Sequence, residues 1–298
     1  MRQRIQTEAT LLLARPRALD YLTLAKPELT LLSVLTAVGA AYLASQDGIP
    51  FWILIHTFMG TLLVGGGAGA LNQYLERSYD SLMKRTENRP LPAGRIAPGE
   101  ALVFGVIIAA LGVADLSVFT HPLAGFLALA TLATYLFLYT PLKRLTPFAT
   151  VVGGVPGALP PVIGWAAVRG SVGIEAWALF AILFFWQMPH FLALAWMYRK
   201  DYARGGYRML TVVDPEGIAT SRQIIVYSIA LIPASLLPTY LGLLGPVYFC
   251  GAFTLSSLFL MVAIQVYRQR TNAAARRLFY ASLAFIPTLA VLMIFDKL

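Results

Sequence analysis

Residues 51–96 read FWILIHTFMGTLLVGGGAGALNQYLERSYDSLMKRTENRPLPAGRI. From Phe51 to Leu71 the run carries no charge, and about 20 such residues cross the ~30 Å hydrocarbon core of a bilayer as a helix. From Asn72 onward its character reverses, and Asn72, Glu76, Asp80, Lys84, Arg85, Arg89 and Arg95 come in close order. The stretch reads as a membrane helix that ends on a charged rim.

Similar apolar runs occur on either side, at about 29–45, 101–119, 123–140, 148–167, 176–197, 224–243, 246–267 and 278–295. With 51–71 they make nine spans, the seventh and eighth parted only by a turn at Gly245-Pro246. Gly and Pro interrupt several of them, which membrane helices tolerate better than soluble ones. The fold expected is all-α: a polytopic membrane protein whose nine helices bundle around an intramembrane cavity. Two units are expected, a cytoplasmic N-terminal segment at 1–28 and a single membrane domain at 29–295. The apolar stretch Leu11–Ala14 is too short for a signal peptide, so a short amphipathic segment on the membrane surface is expected there.

Composition agrees. Of 298 residues, 58% are hydrophobic and 12% charged, against about a quarter charged in soluble domains. An ordinary soluble enzyme, a disordered regulator and a nucleic-acid-binding domain are excluded, so the surroundings expected are lipid and no nucleic acid. The net charge of +9 is placed by topology. All Lys and Arg except Arg169 and Lys297 fall at the N-terminus or in the even-numbered loops. An excess of Lys and Arg marks the cytoplasmic side, which puts the N-terminus in the cytoplasm and the C-terminus opposite. The one cysteine, Cys250, lies in an apolar run and reads as a buried, inert thiol.

The chemistry collects in the long even-numbered loops. Asn72, Glu76 and Asp80 are four residues apart, so on a helix they share one narrow arc over about 12 Å. Three oxygen-bearing side chains on one stripe suit a hard divalent cation such as Mg²⁺, which takes one or two carboxylates and completes its shell with water and phosphate oxygens. The cations beyond them would hold the remaining phosphate charge. The competing reading is a solvated helix end with ion pairs along its face. Tyr139 and Lys143 share a face of the fourth span's end, where both could donate to a phosphate oxygen or simply form part of an interfacial belt. The sixth loop carries Arg199, Lys200 and Asp201; Asp201 reads either as a further metal ligand or as an ion-pair partner. His190 lies inside the sixth span beside Gln187. An intramembrane histidine is a functional candidate by default, with a satisfied core hydrogen bond as the alternative.

Together these residues resemble a family. N-x-x-x-[DE]-x-x-x-D followed by M-K-R-T-x-N-R-P-L (72–91), Y-T-P-L-K (139–143), W-Q-M-P-H-F (186–191) and D-Y-x-R-G-G-Y-x-M-L (201–210) are similar to motifs of the UbiA superfamily of intramembrane prenyltransferases, and within it of the haem-farnesylating branch. The resemblance covers about residues 22–295. It implies transfer of a farnesyl group from farnesyl diphosphate to a vinyl group of haem B, with water addition, giving haem O and diphosphate. It also implies Mg²⁺ as cofactor, held by Asn72, Glu76, Asp80 and Asp201, with Tyr139 and Lys143 catalytic. Diphosphate would be bound by Lys84, Arg85, Arg89, Lys143, Arg199 and Lys200. His190 and Gln187 become the haem-contact candidates, and a haem A synthase or terminal oxidase the downstream partner. Two departures stand out. Position 76 is Glu where most of the superfamily has Asp, and the second D-x-x-x-D motif is reduced to Asp201, with Gly205 four residues on. The runner-up reading is a UbiA-type enzyme acting on an aromatic or quinone precursor. A transporter of a lipid or phosphorylated substrate ranks lower, because no inverted repeat is visible.

Overall fold

The computed structural model describes residues 17–46 and 48–298. The expected surface segment around Leu11–Ala14 lies outside the described residues. The first described element is a short helix, α1 (Arg17–Ala25), which breaks at Lys26, whose φ of 48° is left-handed. Pro27 starts the next helix at its first position, where its missing N–H costs nothing.

Nine helices among the described residues are long and apolar enough to cross a membrane. They are α2 (Pro27–Ala44), α3 (Phe51–Asp80), α4 (Pro98–Phe119), α5 (Pro122–Ala133) continued to Leu142, the pair α6 (Ala149–Ala158) and α7 (Pro160–Arg169), α8 (Ile174–Met197), α11 (Ile218–Tyr240), α12 (Pro246–Gln269) and α13 (Asn272–Phe295). Two short helices, α9 (Arg199–Arg204) and α10 (Leu210–Val213), lie in the sixth loop. The span count matches the hydropathy reading, and so does the turn before Pro246. The main difference is length. The second span continues to Asp80 as one helix of 30 residues, which carries the acid stripe on rigid backbone.

Burial separates the spans into two kinds. The α6–α7 span and α8 are 72% and 61% buried over their apolar windows, whereas each of the other seven is at most 39% buried. Those two therefore form the centre, and the others keep an apolar outer face of the kind lipid covers. Close helix contact is made through small residues, as in other membrane bundles. A side chain at Gly112 of α4 would lie 2.7 Å from the Gly60 carbonyl oxygen of α3, and one at Gly164 of α7 would strike the Ala37 carbonyl of α2. Cys250, expected to be buried, is instead exposed: it falls on the outer face of α12. An apolar neighbourhood in a membrane sequence does not separate core from lipid-facing positions.

The fourth span ends irregularly. Thr134–Tyr139 forms a π-helical turn, a feature often found at functional sites. The Thr140 hydroxyl donates to the Tyr135 carbonyl at 2.9 Å and accepts from the Asn72 amide at 3.3 Å. The irregular turn is thereby stitched to the acid stripe.

Candidate active site

Asn72, Glu76 and Asp80 all lie on α3, and all are buried. Asn72 Nδ2 donates to Glu76 Oε2 at 2.9 Å, and Asn72 Oδ1 accepts from Lys26 Nζ at 3.1 Å. Lys143 Nζ is 2.5 Å from Glu76 Oε1, an ion pair. Arg89 Nη1 donates to Asp80 Oδ2 at 2.7 Å. Each carboxylate of the stripe thus faces a cation brought from a different segment: Lys143 from the end of the fourth span, Arg89 from the second loop.

The helix ends at Asp80 rather than running on, and this re-aims the bases. The Thr86 hydroxyl donates to the Asp80 carbonyl at 2.7 Å, folding the loop back so that Arg89 meets Asp80. Arg95, which sequence spacing groups with the phosphate-binding cations, is turned away. Its Nε donates to Asp20 of α1 at 3.0 Å and its Nη2 to the Asn88 carbonyl at 3.0 Å. Lys84 is exposed. Arg85 stacks on the Tyr198 and Tyr202 rings at 5.0 and 5.4 Å, which links the second loop to the sixth.

The sixth loop closes over the same place. Arg208 N donates to the Lys143 carbonyl at 2.9 Å. Lys143 Nζ sits over the rings of Tyr139 and Tyr207, at 4.7 and 5.7 Å, so Tyr139 and Lys143 share a face as their spacing requires. Asp201 pairs with Arg204 of its own helix. Arg199 is directed away, donating to Asn272 Oδ1 and the Trp196 carbonyl, and Lys200 is exposed. The loop brings Tyr207 to the stripe, while the Arg199 side chain leads to the start of α13.

Two groups were not visible as site residues in the sequence. Lys26 as a whole stays partly exposed, but its ammonium is enclosed, and burial together with nearby Arg89 lowers its pKa to about 7. A lone Lys at a membrane boundary looks like any topology signal. Tyr207 is buried, and burial and the Glu76 carboxylate push its phenol above the usual range, so it remains a proton donor. Burial opposes the charge on Lys143, yet the Glu76 carboxylate and the phenols of Tyr139, Tyr135 and Tyr207 together outweigh it and raise the pKa. The sum is a buried oxygen-donor stripe ringed by an excess of cations and phenols, an arrangement suited to a metal-bound polyanion.

A cavity of about 330 Å³ begins beside this rim. Lys26 and Tyr139 line its charged end, and Trp186, Gln187 and His190 line it further in. Leu116 and Ile163 line it too, from a fully packed cluster that includes Val64, Ala124 and Ala166. His190 precedes the end of α8 by about 10 Å along the helix axis. Gln187 does not bond to His190. Three residues apart on α8, they find different partners: Gln187 Nε2 donates to the Gly154 carbonyl at 2.8 Å, and His190 Nδ1 lies 2.7 Å from Ser282 Oγ.

Fold and site define an intramembrane prenyltransferase: the UbiA prenyltransferase family matches residues 33–288, and the chain belongs to it. It is an integral, multi-pass membrane protein. The chain is 45% identical over 288 residues to the Protoheme IX farnesyltransferase of Solibacter usitatus (strain Ellin6076), which spans 93% of this chain and 98% of that one. Among solved structures, a digeranylgeranylglyceryl phosphate synthase superposes with a TM-score of 0.77 at 17% identity, covering 93% of this chain and 96% of that one. A UbiA homologue from Archaeoglobus fulgidus bound to GPP and Mg²⁺ does so with a TM-score of 0.65 at 16% identity, covering 92% and 99%.

Proposed function

We propose that this chain transfers the farnesyl group of farnesyl diphosphate to a vinyl group of haem B, with addition of water, giving haem O and diphosphate. The observation that carries the reading is an apolar cavity bearing His190 that is also lined by Lys26, whose ammonium donates to Asn72 of the acid stripe. Near-full-length relatives named for this reaction support it over an aromatic or quinone acceptor.

Asn72, Glu76 and Asp80 fit a hard divalent cation by donor type and by sharing one buried face, and Asp201 is the remaining candidate from the sixth loop. Mg²⁺ held there supplies positive charge that stabilises the departing diphosphate. Lys143 and Arg89 take up phosphate oxygens as they leave their carboxylate partners, Lys26 does so as it leaves the Asn72 amide oxygen, and Arg85, Tyr139 and Tyr207 add donors. The farnesyl C1–O bond breaks with its electron pair going to the diphosphate. The vinyl π pair then forms a bond to C1, and water captures the resulting cation on the haem side chain, releasing a proton. The apolar lining from α3, α4 and α7 keeps bulk water from the farnesyl cation. Both the donor tail and the porphyrin are apolar and reach such a site from lipid. His190 and Gln187 contact the porphyrin, His190 as the candidate ligand for its iron.

The charged rim faces the cytoplasm, the C-terminus lies opposite, and the bacterial plasma membrane houses the bundle. A haem A synthase or terminal oxidase consumes the product. Purified protein incubated with haem B, farnesyl diphosphate and Mg²⁺ should yield haem O by mass spectrometry. Prenylation of an aromatic acid with no haem O formed would overturn the reading.

A further inference from the structure

Ser282 of α13 stands at the meeting point of two side chains and a backbone carbonyl. Its carbonyl accepts from Trp186 Nε1 at 2.9 Å, its Oγ lies 2.7 Å from His190 Nδ1, and the same Oγ lies 2.5 Å from the Phe279 carbonyl oxygen one turn back. The residue is fully buried. A hydroxyl carries one proton. Two oxygens 2.5 Å apart need that proton between them, at the short end of the O–H···O range, so it is committed to Phe279. Toward His190 the hydroxyl can only accept, and the ring proton must therefore be on Nδ1.

The rest of the ring is also constrained. Trp186 stacks on it with centroids 5.3 Å apart, and Phe279 stacks at 4.8 Å. With these rings stacked on it and Nδ1 engaged, Nε2 is the ring nitrogen left without a hydrogen-bond partner in a residue that lines the cavity. The structure assigns Ser282 as a positioning residue that fixes the tautomer and direction of His190, so that the Nε2 lone pair points at the haem acceptor. The assignment of haem as the group so faced rests on the proposed function; the assignment of the tautomer rests on hydrogen bonds alone. In an apolar interior, an imidazole that could exchange tautomers would present an N–H to the cavity part of the time and lose its use as an acceptor. The hydroxyl removes that freedom, as the partner of the distal ring nitrogen does in metal-bound histidines.

The chain has three histidines, so ¹⁵N-histidine labelling of the whole protein in nanodiscs reads the tautomer directly, with His190→Gln identifying the resonances. The wild type should show Nδ1 protonated and Nε2 unprotonated. Ser282→Ala keeps the carbonyl bond to Trp186 and should give a mixture or the opposite tautomer, while Ser282→Thr, whose hydroxyl can make the same backbone bond, should restore the wild-type pattern. Haem B affinity should fall about fivefold in the Ala variant, the worth of one neutral hydrogen bond, recover in the Thr variant, and leave farnesyl diphosphate affinity unchanged. A protonated Nε2 in the wild type, an unaltered tautomer in Ser282→Ala, or unaltered haem affinity in that variant would overturn the assignment. Failure of the wild type to make haem O would overturn the proposed function instead, and the spectrum of the haem-free protein distinguishes the two.

Discussion

At the rim of the cavity, charges are met by charges. Glu76 faces Lys143, Asp80 faces Arg89, and nearby Asp20 faces Arg95. Further in, polar groups are met by neutral ones: Gln187 by the Gly154 carbonyl, His190 by the Ser282 hydroxyl. The difference matches what each part would bind in the proposed reaction. Leaving a buried carboxylate without a cation costs several kcal/mol, so the rim keeps its acids paired, and a ligand that brings both a metal and phosphate oxygens can take over both partners of a pair. In the proposed reaction the interior receives apolar molecules, which cannot offset an exposed charge. There the useful property of a polar group is direction, which neutral hydrogen bonds and aromatic stacking provide.

The contrast between rim and interior is tested most severely at Asp80. Asp80→Ala should lower turnover by about 10²–10³-fold, the scale for losing one preorganised group that stabilises transition-state charge, while the protein remains folded and still binds haem B. Wild-type turnover in that variant at saturating Mg²⁺ would remove Asp80 from the site. At Glu76, Asp should retain much of the activity and Gln little; equal rates in the two would mean that the charge is not used. Next in size is Lys26→Met, in which the KM for farnesyl diphosphate should rise about tenfold, as for a lost hydrogen bond to a charged group, with haem affinity unchanged. A normal KM would return Lys26 to the role of a topology signal. The smallest effect on chemistry is expected at Arg95→Gln. Its pair with Asp20 is buried, at 10% and 3% side-chain exposure, so the variant should lose about 3 kcal/mol of stability, seen as a lower thermal midpoint in detergent, and keep its KM. A large KM change would place Arg95 at the diphosphate after all.

Much of this was legible in the sequence because it rests on periodicity. Apolar runs of bilayer length give the nine spans, and the four-residue spacing of Asn72, Glu76 and Asp80 gives one helical stripe. Tyr139 and Lys143 meet for the same reason. Sequence spacing does not show where the chain turns. Arg89 and Arg95 lie six residues apart in the same loop, yet one reaches the stripe and the other locks α1 to that loop, because the backbone folds back at Thr86. Lys26 is brought to Asn72 by its own left-handed backbone between two helices, and Tyr207 by the fold of the sixth loop over Lys143. His190 and Gln187 are neighbours in sequence but face different helices. Cys250 shows the limit of composition, since inside a bilayer lipid-facing and core positions are equally apolar.

The proposed function places the diphosphate at the rim and the haem in the depth. A crossed binding experiment on Glu76→Gln and His190→Ala in nanodiscs separates the two. Mg²⁺-dependent binding of farnesyl diphosphate is measured by calorimetry, and haem B binding by its Soret band. Glu76→Gln should lose Mg²⁺-dependent donor binding and keep a wild-type haem spectrum. His190→Ala should shift the Soret band and weaken haem binding while binding the donor normally. An unchanged Soret band and haem affinity in His190→Ala, or loss of haem binding in Glu76→Gln with donor binding intact, would contradict this division of labour.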